Sequence, residues 1–357
     1  MRKKYNLPVP IDHSISTLSE YINLISSGKY SNCIYRGEQQ RYSYNNASAF
    51  RRTKESGKTY PFFHMKNEFK RETYYSITPD QRHDFLAFAQ HHGIPTNLLD
   101  FTSSPLIALF FACRPYLLNE KHSDSSGYVY LLRNHTLNAT KLISENENDN
   151  LFDLLLSGKK DILFELYYRF VQYEKEYPKD FYIYIKRLFF ELFPLEESFP
   201  SYQNRGYKEK LSPSFSQYYK DNQKFEEKIK KEFGESDPAL LAYLFALQDY
   251  LKKIQEGFYI EEWIDCLPYF VYHPIFSFTR GKNQLGLFLY QNYLTLEGED
   301  SERVTLQRIR PDVRIEVKNK KEILRQLDLM GINEKFIYGD IDSIARYITN
   351  KYKDSIL

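Results

Sequence analysis

The stretch Gln90–Ala112, QHHGIPTNLLDFTSSPLIALFFA, changes character at its middle. Its first half is polar, carries two histidines and bends at a Gly-x-Pro turn, while its second half is almost wholly apolar. Asn97 to Thr102 (NLLDFT) has a strand-like apolar core. From Pro105 onward, Leu106, Leu109, Phe110 and Cys113 recur at i, i+3, i+4 and i+7, the period of one helix face. The stretch reads as a strand, a hydroxyl turn and a buried helix. Ser104 suits the N-cap and Pro105 the first helical position, where a missing N–H costs nothing. A helix start rich in hydroxyls and unpaired N–H groups at a strand end also receives anions such as phosphate or pyrophosphate. Both roles, cap and anion seat, stay open for Thr102, Ser103 and Ser104.

The polar half places Gln90, His91 and His92 beside the Gly93-Ile94-Pro95 turn, immediately before the strand. Such polar density beside a core element must be paired. No further histidine or carboxylate stands at HExxH or similar spacing, so no metal site is expected. Asp100 interrupts an otherwise apolar strand and calls for a polar pocket or a buried cation, with an arginine the expected partner. The candidate is Arg36 in Cys33-Ile34-Tyr35-Arg36-Gly37-Glu38, a short apolar strand ending in a cation and a glycine. Arginine presents a planar fork that matches phosphate or carboxylate, and a neighbouring glycine lets a ligand approach the backbone. A buried pair with Asp100 is the alternative role for Arg36.

Composition limits what the rest can be. With 357 residues, 42% of them hydrophobic and 17% aromatic, the chain can bury a large core in one or two domains. Lys and Arg total 49 against 47 Asp and Glu, so the net charge of +2 supplies no global field for nucleic acid or an anionic membrane. Cys33, Cys113 and Cys266 are far apart and without CxxC spacing, which argues against a disulfide framework and a thiolate zinc site. The basic start MRKKYNLPVPIDHS leads into no apolar h-region, and the longest apolar run is too short for a bilayer; a soluble cytoplasmic protein is expected. Short strands and helices alternate over residues 1–135, for example NCIYRG and GYVYLLR. Residues 141–262 turn helical, with Asp237-Pro238 a good helix start, and the pieces 144–150 and 199–216 read as surface loops. Strands such as LGLFLYQ and RIEVK return in 263–357 before two closing helical runs. The three zones are expected to be the front half of a domain, an inserted helical block and the domain's closing half.

Three groups of residues resemble one family. Tyr35-Arg36-Gly37-Glu38, then Gln90-His91-His92-Gly93-Ile94-Pro95-Thr96, then Leu98-Leu99-Asp100-Phe101-Thr102 with Ser104-Pro105 and Ala108-Leu109-Phe110-Phe111-Ala112 look like the FRG domain family, named for a Phe-Arg-Gly motif. Arg280, Asn283-Gln284-Leu285-Gly286-Leu287-Phe288 and the closing segments with Gly331-Ile332 and Asp340-Ile341-Asp342 are similar to its far end. Phe101 stands where the family prefers Trp, and Asn97 where it usually has Arg.

The resemblance implies an α+β fold with an ADP-ribosyltransferase-like split β-sheet and a helical insertion, in which residues 32–36, 97–102 and 285–290 are strands of one sheet. In that plan an early strand arginine and a Ser-Thr-Ser step hold NAD, the substrate, and a later glutamate engages the nicotinamide ribose. It implies Arg36, Gly37, His91, Thr102, Ser103 and Ser104 as cofactor-binding residues. Order along the chain puts Gln284 at the catalytic position, where a glutamine can hydrogen-bond a ribose hydroxyl but cannot act as a base. Glu38 and Asp100 are the nearest carboxylates to replace it. Two functions follow: an NAD-consuming ADP-ribosyltransferase or glycohydrolase in toxin or antiviral defence, acting on a protein or nucleic-acid acceptor, or a non-catalytic module sensing a nucleotide or a nucleic-acid end. No carboxylate cluster for a two-metal nuclease is visible.

Overall fold

The computed structural model describes residues 11–30, 32–42, 46–52, 59–114, 126–133, 136–147, 150–157, 160–193, 220, 223–256, 266–275, 278–295 and 304–353. They group into two compact units. One holds residues 4–134, 271–290 and 309–357, and the other holds 135–270 and 291–308. The expected loop at 199–216 lies outside the described residues.

The first unit opens with β1 (Ile11–Ile15), α1 (Leu18–Ser26) and β2 (Cys33–Glu38), followed by α2 (Phe62–Thr73), α3 (Pro79–His83) and α4 (Phe85–His91). Next come β3 (Leu98–Thr102), α5 (Pro105–Cys113) and β4 (Gly127–Arg133). The chain then builds the second unit from β5 (Thr136–Asn138), α6 (Thr140–Glu145), α7 (Leu151–Leu156), α8 (Lys160–Glu176), α9 (Pro178–Leu192), α10 (Gln223–Phe233) and α11 (Pro238–Gln255). It re-enters the first unit within β6 (Tyr269–Tyr272) and adds α12 (Thr279–Asn283) and β7 (Gly286–Tyr290). A two-stranded pair, β8 (Tyr293–Thr295) and β9 (Val304–Leu306), belongs to the second unit. The first unit closes with β10 (Val313–Val317), α13 (Lys320–Leu329), α14 (Glu334–Tyr338) and α15 (Ile341–Lys353).

Strands of the first unit run in the order β1-β10-β4-β2-β3-β7. β1 lies parallel to β10, and the other neighbours are antiparallel, so the sheet is mixed. The three segments expected to share a sheet, in β2, β3 and β7, are consecutive neighbours in it. Inward residues alternate along β2 and β10, as a sheet with one packed face requires. The core on that face gathers Tyr35, Val129, Leu131, Val313 and Ile315 under Ile107, Leu109 and Phe110 of α5.

α5 buries Ile107, Ala108, Leu109, Phe110, Ala112 and Cys113, so its packed surface is wider than the single face that the spacing of Leu106, Leu109, Phe110 and Cys113 predicts. It begins where the sequence places it, with Ser104 Oγ accepting from the Ile107 amide at 3.4 Å and Pro105 in the first turn. The Tyr21 hydroxyl donates to the Pro105 carbonyl at 2.9 Å and ties α1 to the same turn. Two strand glycines set the distance between helix and sheet. A Cβ built on Gly37 would lie 1.8 Å from the Ala108 carbonyl oxygen, and one on Gly127 would lie 2.1 Å from that of Ala112. Alanines on the helix and glycines on the strands form one close seam.

In the second unit α11 buries Leu240, Tyr243, Leu247, Leu251 and Ile254 among others. Asp237 caps it as expected, accepting from the amides of Ala239 at 2.9 Å and Leu240 at 3.2 Å. The expected loop at 144–150 is partly helical, since α6 runs to Glu145. Cys33, Cys113 and Cys266 are buried and stand outside any disulfide.

Gly37→Ala is expected to destabilise the protein by about 2 kcal/mol or more, because backbone carbonyls cannot move aside as a flexible side chain can. A thermal melt that leaves the midpoint unchanged would show that the seam relaxes.

Candidate functional site

Alternation along β2 turns Tyr35 and Gly37 toward α5 and leaves Arg36 and Glu38 side by side on the opposite face. Arg36 Nε donates to Glu38 Oε1 at 2.9 Å, and an Arg36 terminal nitrogen donates to the Asp100 backbone carbonyl at 2.8 Å. Both side chains are largely buried, 13% and 5% exposed. Glu38 Oε2 is buried with no hydrogen-bond partner among the described residues. An orphaned polar atom of this kind costs about 1–3 kcal/mol, and more when it belongs to a charged group.

Arg36, Gly37 and Glu38 line a cavity of about 710 Å³ together with Tyr42, Phe50, Arg51 and Arg52. Arg51 and Arg52 follow a short 3-10 turn, Ser48–Phe50, and Arg51 Nε is held by the Asn46 carbonyl at 2.9 Å. Burial and the neighbouring Arg36 guanidinium disfavour the charge on Arg51, while Glu38 and Asp100 favour it. The same two arginines line a second cavity, of about 620 Å³, with Tyr60, Gln90, Pro95 and Asp100 on its walls.

The hydroxyl step after β3 is tied up elsewhere. Thr102 donates to the Gln284 carbonyl at 2.7 Å and accepts from the Ser104 amide at 3.0 Å. The Ser103 amide donates at 3.1 Å to the carbonyl of Leu285, which holds a left-handed backbone with φ 44°. Gln284 Nε2 reaches the Ile337 carbonyl at 3.4 Å. This cluster fastens the turn entering α5 to the turn between α12 and β7. His91 stacks on Phe278 with ring centroids 3.8 Å apart and planes 16° apart. Burial first, then His92 and Arg280, lower its pKa to about 4.

The structure thus brings Arg36, Gly37 and Glu38 together at one cavity. It gathers Thr102, Ser103, Ser104 and Gln284 in a separate hydrogen-bonded cluster, with His91 against Phe278. One expectation is corrected. The Asp100 carboxylate accepts from Gln90 Nε2 at 2.8 Å, not from an arginine side chain, and the carboxylate that Arg36 meets is Glu38. The reason is strand geometry: residues i and i+2 share a face of β2, while Asp100 offers β2 its backbone oxygen. Gln90 in turn accepts from the Thr96 hydroxyl, so Asp100, Gln90 and Thr96 form one chain of bonds. Arg51 and Arg52 escaped the sequence reading. Their sole signal is adjacency, since they lie in an irregular segment with no periodicity to aim them.

Among the described residues no group of three or more His, Cys, Asp or Glu side chains is placed to hold a metal ion. Among them, too, no helix is long and apolar enough to cross a membrane. The family model for the FRG domain matches residues 31–122, the span that contains β2, β3, α5 and both cavity arginines. No curated protein and no solved structure matches the chain.

The low pKa of His91 sets a pH dependence. The folded state holds the ring neutral down to about pH 4, whereas an unfolded histidine protonates near pH 6.5. Its contribution to stability is complete above about pH 6.5 and is lost as the pH falls from there toward 4. The melting midpoint should decline over that interval, and His91→Phe, which keeps the stack on Phe278, should flatten the decline. An unchanged slope in that variant would remove His91 as its source.

Proposed function

Starting from an FRG domain at residues 31–122, we propose that the cavity at the end of β2 binds NAD and that the protein is an ADP-ribosyltransferase or NAD glycohydrolase. The observation that carries this reading is Glu38, a buried residue lining the cavity, with one carboxylate oxygen held by Arg36 and the other buried without a hydrogen-bond partner among the described residues. A ribose hydroxyl is the kind of donor that such an oxygen lacks, and acidic side chains bind nucleotide riboses in this way. Arg51 and Arg52 supply forks for the phosphates, and the rings of Tyr42 and Phe50 supply apolar surface for a base.

In such a reaction the bond between nicotinamide and the ribose C1′ breaks, and nicotinamide leaves with the bonding pair. A water or an acceptor nucleophile bonds to C1′ and gives up its proton to the surrounding water. Glu38 favours the positive charge that develops on the ribose and, through Oε2, orients its hydroxyls. Arg36 holds Glu38 in place. The Thr102-Ser103-Ser104 and Gln284 cluster acts as the scaffold that positions β3 beside β2. The ADP-ribosyltransferase-like plan is supported by the order of a strand arginine, then a hydroxyl turn into a buried helix, on neighbouring strands. A setting in toxin or antiviral defence belongs to the same reading.

A second reading, a nucleotide sensor without turnover, draws on the 2.9 Å Arg36–Glu38 contact, since a carboxylate oxygen already engaged by a guanidinium is not free to take a proton from a nucleophile.

Purified protein incubated with NAD should release nicotinamide, alone for a glycohydrolase and only with added lysate for a transferase. Glu38→Gln should cut release by roughly 10²-fold or more with the melting midpoint retained. Binding of NAD without release under either condition would leave the sensor reading standing and end the catalytic one.

A further inference from the structure

The two cavities beside Arg51 and Arg52 repeat one chemical pattern. On one side stand the carboxylate of Glu38 and the rings of Tyr42 and Phe50, and on the other stand the carboxylate of Asp100 and the ring of Tyr60. Both arginines line both cavities. Among the described residues the Arg51 terminal nitrogens make no hydrogen bond, its Nε alone being held by Asn46. Each cavity, at about 710 and 620 Å³, falls in the range of about 300–1,000 Å³ usual for small-ligand sites.

From this we infer that the second cavity is a nucleoside subsite, so that the two cavities form one site for a ligand with two nucleoside arms joined by a pyrophosphate. The inference rests on the nucleotide reading of the first cavity and extends it. The pyrophosphate lies across Arg51 and Arg52, where paired guanidinium forks meet its oxygens. One ribose faces Glu38 Oε2. The second arm enters the other cavity, its base against Tyr60 and the apolar wall of Ile94 and Pro95, its ribose toward the exposed Asp100. Asp100 is ready for that task because Gln90 Nε2 fixes its Oδ1 and Thr96 in turn fixes Gln90. A mononucleotide fills one cavity and leaves half of these groups unused.

Calorimetric titration with ADP-ribose, AMP and nicotinamide mononucleotide tests this: the first two carry no nicotinamide–ribose bond to break, and nicotinamide release from the third is followed alongside so that its affinity is read before turnover. ADP-ribose is expected to bind at least roughly tenfold more tightly than either mononucleotide, because it alone spans both cavities with a pyrophosphate across Arg51 and Arg52 and a ribose at each end. Tyr60→Ala, at an exposed position outside the sheet, is expected to lower ADP-ribose affinity by roughly tenfold and to leave nicotinamide mononucleotide unaffected. A melting curve matching that of the unaltered protein establishes that the variant is folded. Equal affinities for ADP-ribose and the mononucleotides, with NAD still consumed, would overturn the two-arm site and spare the first-cavity reading. Equal losses for all ligands in the Tyr60 variant would also overturn it. Binding of none of the three, with no nicotinamide released from NAD, would bring down both.

Discussion

Everything around β2 depends on how closely α5 can approach the sheet. Gly37 and Gly127 lie on adjacent strands and meet Ala108 and Ala112, one helical turn apart, with no room for a methyl group at either glycine. The contact is between backbones, so it fixes the helix at a single height over the strands. That height determines where the Thr102-to-Ser104 turn falls and how Arg36 and Glu38 are presented on the far face. A glycine after the arginine therefore serves packing on one side of the sheet and leaves the backbone open to the cavity on the other.

The electrostatics of the far face are unusual in their economy. Three guanidinium groups, Arg36, Arg51 and Arg52, gather near two carboxylates, yet among the described residues only the Arg36–Glu38 pair is a direct ion pair. Partial burial first, and then repulsion from the neighbouring Arg36 guanidinium, hold the pKa of Arg51 below its ordinary value.

The fold was legible where the period of apolar residues was clear. NLLDFT, CIYRGE and LGLFLYQ became adjacent strands, and Ser104-Pro105 and Asp237-Pro238 began helices as their capping chemistry demands. Pairing between side chains was less legible. Asp100 in an apolar strand called for a cation, but a strand also presents backbone oxygens, and Arg36 took that oxygen while an amide took the carboxylate. The cavity arginines were invisible for a different reason: a residue after a 3-10 turn is aimed by the turn, and no sequence period encodes that direction. Gln284, placed by order along the chain, lies where its backbone carbonyl does the work of holding Thr102.

The pairing of β1 with β10 has a consequence for how the chain matures. Asp12 lies opposite Arg314 in this parallel pair, joined by a two-pronged ion pair across about three hundred residues of sequence. β3 likewise waits for β7, which emerges far later. A ribosome delivering this chain completes residues 135–270, whose helices contact one another locally, before β10, the partner of β1, and β7, the second partner of β3, exist. For that interval the newborn sheet carries open edges, with apolar strands such as LLDFT at the boundary, and these are the surfaces a chaperone would meet first.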